Sequence, residues 1–373
     1  MVHVGVDLHK RMSQIAVLTA DGELTQHRLP NDLAHLEPFF AQLPTPSPIA
    51  IEASGTWWWL VDLLERLGHQ PVLSHPKETN AIASARLKND KVDAQRLALL
   101  LRGDLLPPVW IPPAAVREAR ELIRHRVSLI WLRTQVWNRM LAMLARRNLQ
   151  PTQAKRWLTV RGQRELQALV LTPAPTTIRE DCRALLSVLD EQIRRLDTTL
   201  AQQWGHDLRV QRLMTIPGIG RFLAVLLVLE LGDVQRFPSG KHLASYIGLT
   251  PRIRASADRV RSGHISKEGN RLLRWGLGLA ATQPARRPGP LRAWYRAIEQ
   301  RKGKEIARVA LARRLAEIAR ACGSGHGSWR ARRSGRCSGG RGGRPRRGWE
   351  RGRCAAGPPS RTPAGRCEDT ARA

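Results

Sequence analysis

The sequence predicts an α/β unit at the N-terminus, then long helices, then a second unit that is mostly α-helical. Three observations carry that expectation. Short β-branched runs alternate with helical stretches over residues 1–110, two long charged stretches of helical periodicity follow, and residues 210–320 show helical patterning broken by Gly and Pro. With 373 residues, 42% of them hydrophobic, the chain has length for about two domains and enough apolar side chains to bury a core.

Residues 2–6 (Val-His-Val-Gly-Val) read as a first strand, 13–18 as a second, and 23–29 as a third after the turn pair Asp21-Gly22. A helix is expected over 33–43, a buried-type strand over 48–52, a helix over 57–67 that stops at Gly68, a strand over 72–74 and a helical pattern over 80–102. Three antiparallel strands and then helix, strand, helix, strand, helix is the order of the ribonuclease H fold.

Residues 114–148 and 177–203 carry apolar stripes, Leu122, Val127, Leu129, Leu132, Val136, Leu141 and Leu144 in the first, Ile178, Leu185, Val188, Leu189, Ile193, Leu196 and Leu200 in the second. Pro173 and Pro175 break the chain between them. The pair reads as an antiparallel hairpin, a coiled-coil dimerisation element or a plain spacer. Beyond it, Ile216-Pro217-Gly218-Ile219-Gly220 looks like a helix-hairpin-helix, whose Gly218 and Gly220 would let backbone N–H groups approach a phosphate; an ordinary tight turn is the alternative. Residues 248–256 and 262–274 read as a Ser- and Arg-rich loop ahead of an amphipathic helix. Arg252, Arg254, Arg259, Arg261 and Lys267 there are candidates for holding nucleic acid. A hydroxyl among those cations could attack phosphorus, although a basic DNA-binding loop explains the same residues. The expected division is therefore 1–112, 113–208, 209–320 and a tail, 321–373.

The tail contains no Leu, Ile, Val, Met, Phe, Tyr or Lys, many Gly, and Arg as its basic residue. Such a segment cannot offset its ordering entropy by burial and is expected to be disordered. It is either a nucleic-acid-binding arm or, the preferred reading, out-of-frame translation of a GC-rich gene.

Lys plus Arg number 62 against 31 Asp plus Glu, a net charge of +31, which calls for a polyanionic partner. The longest apolar run, residues 222–229, is far short of the roughly 20 residues of a membrane span. No basic segment leading into an apolar stretch opens the chain, so a cytoplasmic location without a membrane is expected. The five cysteines, Cys182, Cys322, Cys337, Cys354 and Cys367, form no C-x-x-C pair, and neither a disulfide framework nor a zinc site is supported.

Four carboxylates stand out. Asp7 ends the first strand, Glu52 ends the fourth, and Asp90 and Asp93 lie three apart on one helical face. In the ribonuclease H order the ends of strands one and four are adjacent and the last helix crosses beside them, so the four acids can converge. Crowded carboxylates repel unless a cation compensates, and Mg²⁺ prefers such hard oxygen ligands. Two such ions about 3.5–4 Å apart would stabilise the attacking and leaving oxygens of phosphodiester cleavage. Taken singly, each acid is explained as a turn residue, a helix N-terminal acid or a solvated face.

Gly5-Val6-Asp7-Leu8-His9-Lys10, Ile51-Glu52-Ala53-Ser54-Gly55 and Lys88-Asn89-Asp90-Lys91-Val92-Asp93-Ala94 resemble the DEDD motif set of a transposase family of bacterial insertion sequences, related to the Piv invertase and known as bridge-RNA-guided recombinases. Ile216 to Gly220, Gly248-Leu249-Thr250-Pro251 and Gly269-Asn270-Arg271-Leu272-Leu273-Arg274 resemble that family's C-terminal domain, so the likeness runs in order over residues 1–320. It implies a resolvase-like domain holding Mg²⁺ through Asp7, Glu52, Asp90 and Asp93, and a serine that attaches covalently to DNA during strand exchange. Ser256 matches the serine's place after Gly-Leu-x-Pro, with Ala257 where the family has Gly; Ser262, followed by Gly263, is the alternative. The resemblance further implies DNA of the element ends and target as substrate, a guide RNA from the element's flank, and a homo-oligomer, dimer or tetramer, whose composite site joins two subunits. The tail departs from the family, whose chains end soon after the helix corresponding to 305–320.

The expected function is thus transposition by Mg²⁺-dependent strand exchange. A junction-resolving nuclease that activates water is the enzymatic alternative, and a decayed copy that only binds nucleic acid is the other. An actin-like ATPase, suggested by Gly5-Val6-Asp7-Leu8, leaves the pair Asp90/Asp93 unexplained.

Overall fold

The computed structural model describes residues 1–82, 90–256 and 259–323, the side chains of 253–262 excepted. Its N-terminal part is built on period-two strands. β1 (His3–Leu8), β2 (Met12–Leu18) and β3 (Leu24–Pro30) pair antiparallel, α1 (Leu33–Ala41) follows, and β4 (Pro48–Glu52) returns parallel to β1. After α2 (Trp58–Arg66), β5 (Gln70–Ser74) pairs parallel to β4; α3 (Pro76–Ile82), α4 (Asp90–Arg102) and a two-residue strand, β6 (Pro108–Val109), come next. The sheet order is β3-β2-β1-β4-β5-β6. β6 was not foreseen, because two residues are too few to show a period. Of the helical pattern at 80–102, residues 83–89 lie outside the described residues.

Alternation divides the side chains between two faces. Val4, Val6, Leu8, Ile15, Val17, Ile49 and Ile51 are buried against Leu36 and Phe40 of α1 and Leu60, Val61 and Leu64 of α2. On the other face small residues let α4 lie close: Ala16 packs with Ala94 and Ala98, and Ala50 with Leu97 and Leu100.

α5 (Ala114–Ala145), α6 (Val160–Ala168) and α7 (Pro173–Trp204) follow. α5 and α7 form a hairpin within one chain. Arg126 holds Asp197 through two bonds of 2.9 Å and Arg133 holds Asp190 at 2.8 Å, so numbers rise on one helix as they fall on the other. Leu129 packs with Ile193 and Leu196, and Met140, Met143 and Leu144 with Cys182 and Leu186. Leu132, Leu185 and Val188 of the expected stripes are exposed instead. α7 also begins earlier than its stripe, because Pro173 is tolerated in a first turn.

The remaining elements are α8 (Leu208–Met214), α9 (Arg221–Leu231), a 3-10 turn at Val234–Arg236, α10 (Gly240–Tyr246), β7 (Pro251–Ser256), β8 (Arg259–Ile265), α11 (Arg271–Ala280), α12 (Thr282–Arg286), α13 (Pro290–Lys302) and α14 (Lys304–Gly323). Every residue of α9 from Leu223 to Leu231 is buried, at the centre of a core shared with Leu213 of α8, Leu273 and Leu277 of α11, and Leu311 and Leu315 of α14. The stretch expected as a basic loop is an antiparallel hairpin of β7 and β8. Arg252-Ile253-Arg254-Ala255 and Arg259-Val260-Arg261 do alternate, and the abundance of Arg hid a period of two. α14 continues to Gly323, past the compositional break at Ala321, and Cys322 is buried with Leu315 and Ile318. The tail residues 324–373, with Cys337, Cys354 and Cys367, lie outside the described residues. Among the described residues no helix is long and apolar enough to cross a membrane.

Candidate active site

The same alternation that buries Val4, Val6 and Leu8 turns Gly5 and Asp7 to the α4 face, and on β4 it does so for Ala50 and Glu52. β1 and β4 run parallel with Gly5 beside Ala50 and Val6 beside Ile51, so Asp7 and Glu52 are neighbours one step further on. Gly5 sets the third direction. A Cβ there would lie 2.1 Å from the Ala94 carbonyl oxygen and 2.6 Å from the Ala98 nitrogen, so only glycine lets α4 approach this closely. Asp90 and Asp93 lie in the first turn of α4.

Between Asp7 and Asp90 sits His9, which lies within the Gly5–Lys10 motif but was given no role from the sequence. Its Nε2 is 3.2 Å from Asp7 Oδ2 and 3.2 Å from Asp90 Oδ2. One ligand atom from each of Asp7, His9 and Asp90 lies within 4.8 Å of the others. The turn carrying His9 is pinned, since its carbonyl accepts from Asn31 Nδ2 at 2.6 Å and its N–H donates to the Met12 carbonyl at 3.1 Å. Its place two residues after Asp7, just past the end of the strand, was the available signal, but a lone histidine in a turn says nothing until α4 brings Asp90 to it.

Burial pushes the Asp7 carboxyl above its usual range. His9 opposes that shift, and Asp90, Asp93 and Glu52 reinforce it in that order. The charges of Asp90, Asp93 and Glu52 are thus felt at Asp7, and Asp90 is the acid that shares His9 with it. Asp93 is further ion-paired with Arg96, one turn along α4. A half-buried carboxylate crowded by three others, with an imidazole between two of them, is a donor set that fits a divalent cation, which would relieve the repulsion.

Beside this cluster opens a cleft of about 1590 Å³. His9 and Lys10, the segment after Glu52 through Trp59, and Arg124, Arg236 and Tyr246 of the helical part line it. The far wall is locked by Glu230, 1% exposed at the end of α9. Arg124 donates to both its oxygens at 2.7 and 3.0 Å, and Asn270 Nδ2 donates at 2.7 Å. The same Asn270 caps α11, accepting from Leu272 N and Leu273 N. Glu230 was also missed, although one acid in the apolar run of α9 signals a buried charge that needs partners.

The other candidates are placed unevenly. Gly218 has φ of +92°, and a Cβ on it would lie 2.2 Å from the Ala280 carbonyl oxygen, so its glycine is required by the turn itself. Gly220 is the N-cap of α9, and a Cβ added to it would meet nothing within 4 Å. Arg252 donates to Ser266 O at 3.3 Å and pairs with Glu268 at 3.5 Å. Lys267 is exposed in the left-handed region, φ +56°. Ser256 pairs in register with Arg259, Arg254 with Arg261 and Ile253 with Ser262. The side chains of Ser256, Ser262, Arg254, Arg259 and Arg261 lie outside the described residues.

Comparison with known proteins finds two matched regions. Residues 4–148 match the DEDD transposase profile of the IS110 group, and residues 210–296 match the profile described as Transposase IS116/IS110/IS902 family. A putative transposase of Sinorhizobium fredii is 31% identical over 334 residues, 86% of this chain and 83% of its own. A probable family 20 transposase of Pseudomonas aeruginosa is 28% identical, over 84% of this chain and 94% of its own. The pilin gene-inverting protein of Moraxella bovis is 29% identical, over 72% and 78%. The first matched region carries the strands and α4 that hold the acidic cluster, the second lies in the helical part beyond, and the chain belongs to the IS116/IS110/IS902 family of transposases, enzymes of DNA recombination.

Proposed function

We propose that the N-terminal unit is a ribonuclease H/resolvase-like catalytic domain in which Asp7, Glu52, Asp90 and Asp93 hold Mg²⁺, and that Ser256 on the β7–β8 hairpin is the nucleophile of strand exchange. The observation that supports the reading is the meeting of Asp7, His9 and Asp90, whose ligand atoms lie within 4.8 Å of one another, with Glu52 on the strand beside Asp7 and Asp93 in the same first turn of α4 as Asp90. When bound, the cation supplies charge to the scissile phosphate of DNA. Asp7 and Glu52 fix that position from the rigid sheet, and Asp90 and Asp93 from α4. His9 is placed to give way to the cation or to orient the Asp7 and Asp90 carboxylates around it. In the chemical step the Ser256 oxygen forms a bond to phosphorus as the bond from phosphorus to the deoxyribose oxygen breaks, and the serine proton ends on the leaving oxygen. Reversal of that step onto a second strand joins the DNA.

Gly220 at the N-terminus of α9, the arginines of the hairpin and Lys267 bind phosphates. A net charge of +31 suits two polyanions at once, the DNA of the element ends and target and a guide RNA from the element's flank. A homo-oligomer, with the serine of one subunit serving the acids of another, completes the site.

Excision in cells tests this. The gene is supplied with its native flanking DNA, and the resealed circular junction is amplified. Junction from wild type but not from Asp90→Ala or Ser256→Ala is expected. Product persisting in Ser256→Ala moves the nucleophile to Ser262 or refutes covalent chemistry, and product persisting in Asp90→Ala refutes the metal site.

A further inference from the structure

Three consecutive tryptophans open α2, Trp57 as its N-cap and Trp58 and Trp59 as its first residues, and successive residues on a helix point about 100° apart, so the core cannot take all three. Trp57 and Trp59 pack against the core of the sheet. Trp58 falls on the stripe of Asp62, four residues on, and both are tied to the buried Arg117: its guanidinium donates to the Trp58 carbonyl at 3.4 Å, ion-pairs with Asp62, and lies 5.9 Å from the Trp58 ring centroid. The Trp57 ring meets Trp58 edge-on at 5.9 Å. Trp58 is thus a large aromatic ring held in place, half-buried, and facing the 1590 Å³ cleft.

The surroundings define what could lie against it. Glu52 of the acidic cluster is six residues upstream, and His9, bonded to Asp7 and Asp90, lines the same cleft. Lys10 and Lys77 in its lining are exposed and form no ion pair among the described residues, and the half-exposed Arg124 lines it as well. Aromatic surface in a cleft also lined by cations, opening on a site for phosphodiester chemistry, matches an unpaired nucleotide and not a stacked duplex, whose bases show no open π-face.

We propose that this cleft is a binding site for a single nucleic-acid strand, one unpaired base stacking on Trp58 and the flanking phosphates meeting Lys10 and Lys77. The proposal rests on the recombinase reading for its placement beside the acids, and its chemistry is common to an unpaired DNA strand and to an unpaired guide-RNA strand.

The test is fluorescence anisotropy with the full chain, metal-free and at raised ionic strength, so that non-specific charge attraction is suppressed. Labelled oligo-dT, oligo-rU and a DNA duplex of equal length are the probes. Trp58→Ala is expected to weaken single-strand binding by about tenfold, Trp58→Phe to restore most of it, and both to leave duplex affinity within about twofold. Lys77→Gln should weaken the single strands and reduce the salt dependence of their binding. Tighter wild-type binding of dT identifies the occupant as DNA, and of rU as RNA. Equal losses on single strand and duplex, or no loss in Trp58→Ala, overturn the proposal; if Trp58→Ala melts early, Lys77→Gln with Trp58→Phe decides. Asp90→Ala separates the two readings, since it abolishes excision while keeping single-strand affinity.

Discussion

Glu230 offers the sharpest test of the packing. Replacing Arg124 with Met removes both bidentate bonds and leaves a carboxylate that is 1% exposed with the Asn270 amide as its remaining side-chain donor. Breaking a buried ion pair from one side costs about 3–5 kcal/mol, against about 0–1 for an exposed pair. Arg124 itself is 46% exposed, so its loss admits water, and the low end, about 3 kcal/mol, is expected. For about 320 folded residues at roughly 2.1 cal/mol/K each, that is roughly 4–5 °C in melting temperature. Glu230→Gln lets Arg124 turn to solvent, and the buried Arg120 loses an attractive charge but keeps its bonds to the Leu229 and Glu230 carbonyls at 2.7 and 3.0 Å, so the cost should be about 1–2 kcal/mol. The Arg124→Met/Glu230→Met pair should recover a large part of the single loss. Thermal unfolding followed by circular dichroism at one scan rate ranks the three. A shift below about 2 °C for Arg124→Met, or Glu230→Gln costing more than Arg124→Met, would refute the account.

Asp7→Asn should stabilise the cation-free protein. An acid whose pKa rises on folding is costlier to ionise in the folded chain; the cost is absent below the ordinary value of 3.8 and complete above the raised one, so it is fully felt at neutral pH. The variant should melt higher than wild type without cation and lose the stabilisation that added Mg²⁺ gives wild type, both read from melting curves with and without the ion. Gly5→Ala should cost about 2–3 kcal/mol and abolish excision, since its methyl forces α4, and Asp90 with it, away from the sheet. Gly218→Ala should destabilise through its strained turn, whereas Gly220→Ala should leave the melting temperature nearly unchanged and weaken DNA binding. Equal melting losses in the two glycine variants would contradict that division.

Local pattern was enough for much of the fold. Period two in residues 2–6, 13–18 and 48–52 is imposed by one buried face, and it also assigns Asp7 and Glu52 a common side before any contact is known. It was not enough where Arg outnumbers the apolar residues, as in β7 and β8, or where an element is as short as β6. The long helices showed apolar stripes, yet a stripe does not name its partner. Pairing of Arg126 with Asp197 and Arg133 with Asp190 decided for a hairpin within the chain.

The sequence by itself determined the four acids, the order of strands that brings them near one another, the basic character and the family likeness, because these are properties of local spacing and composition. Tertiary structure alone decided that His9 stands between Asp7 and Asp90, that Gly5 is the contact on which α4 rests, that Glu230 locks Arg124 to the cap of α11, and that Trp58 faces a cleft. Each of those depends on residues far apart in the chain meeting at distances of a few ångströms, where desolvation and hydrogen-bond geometry decide what a side chain does.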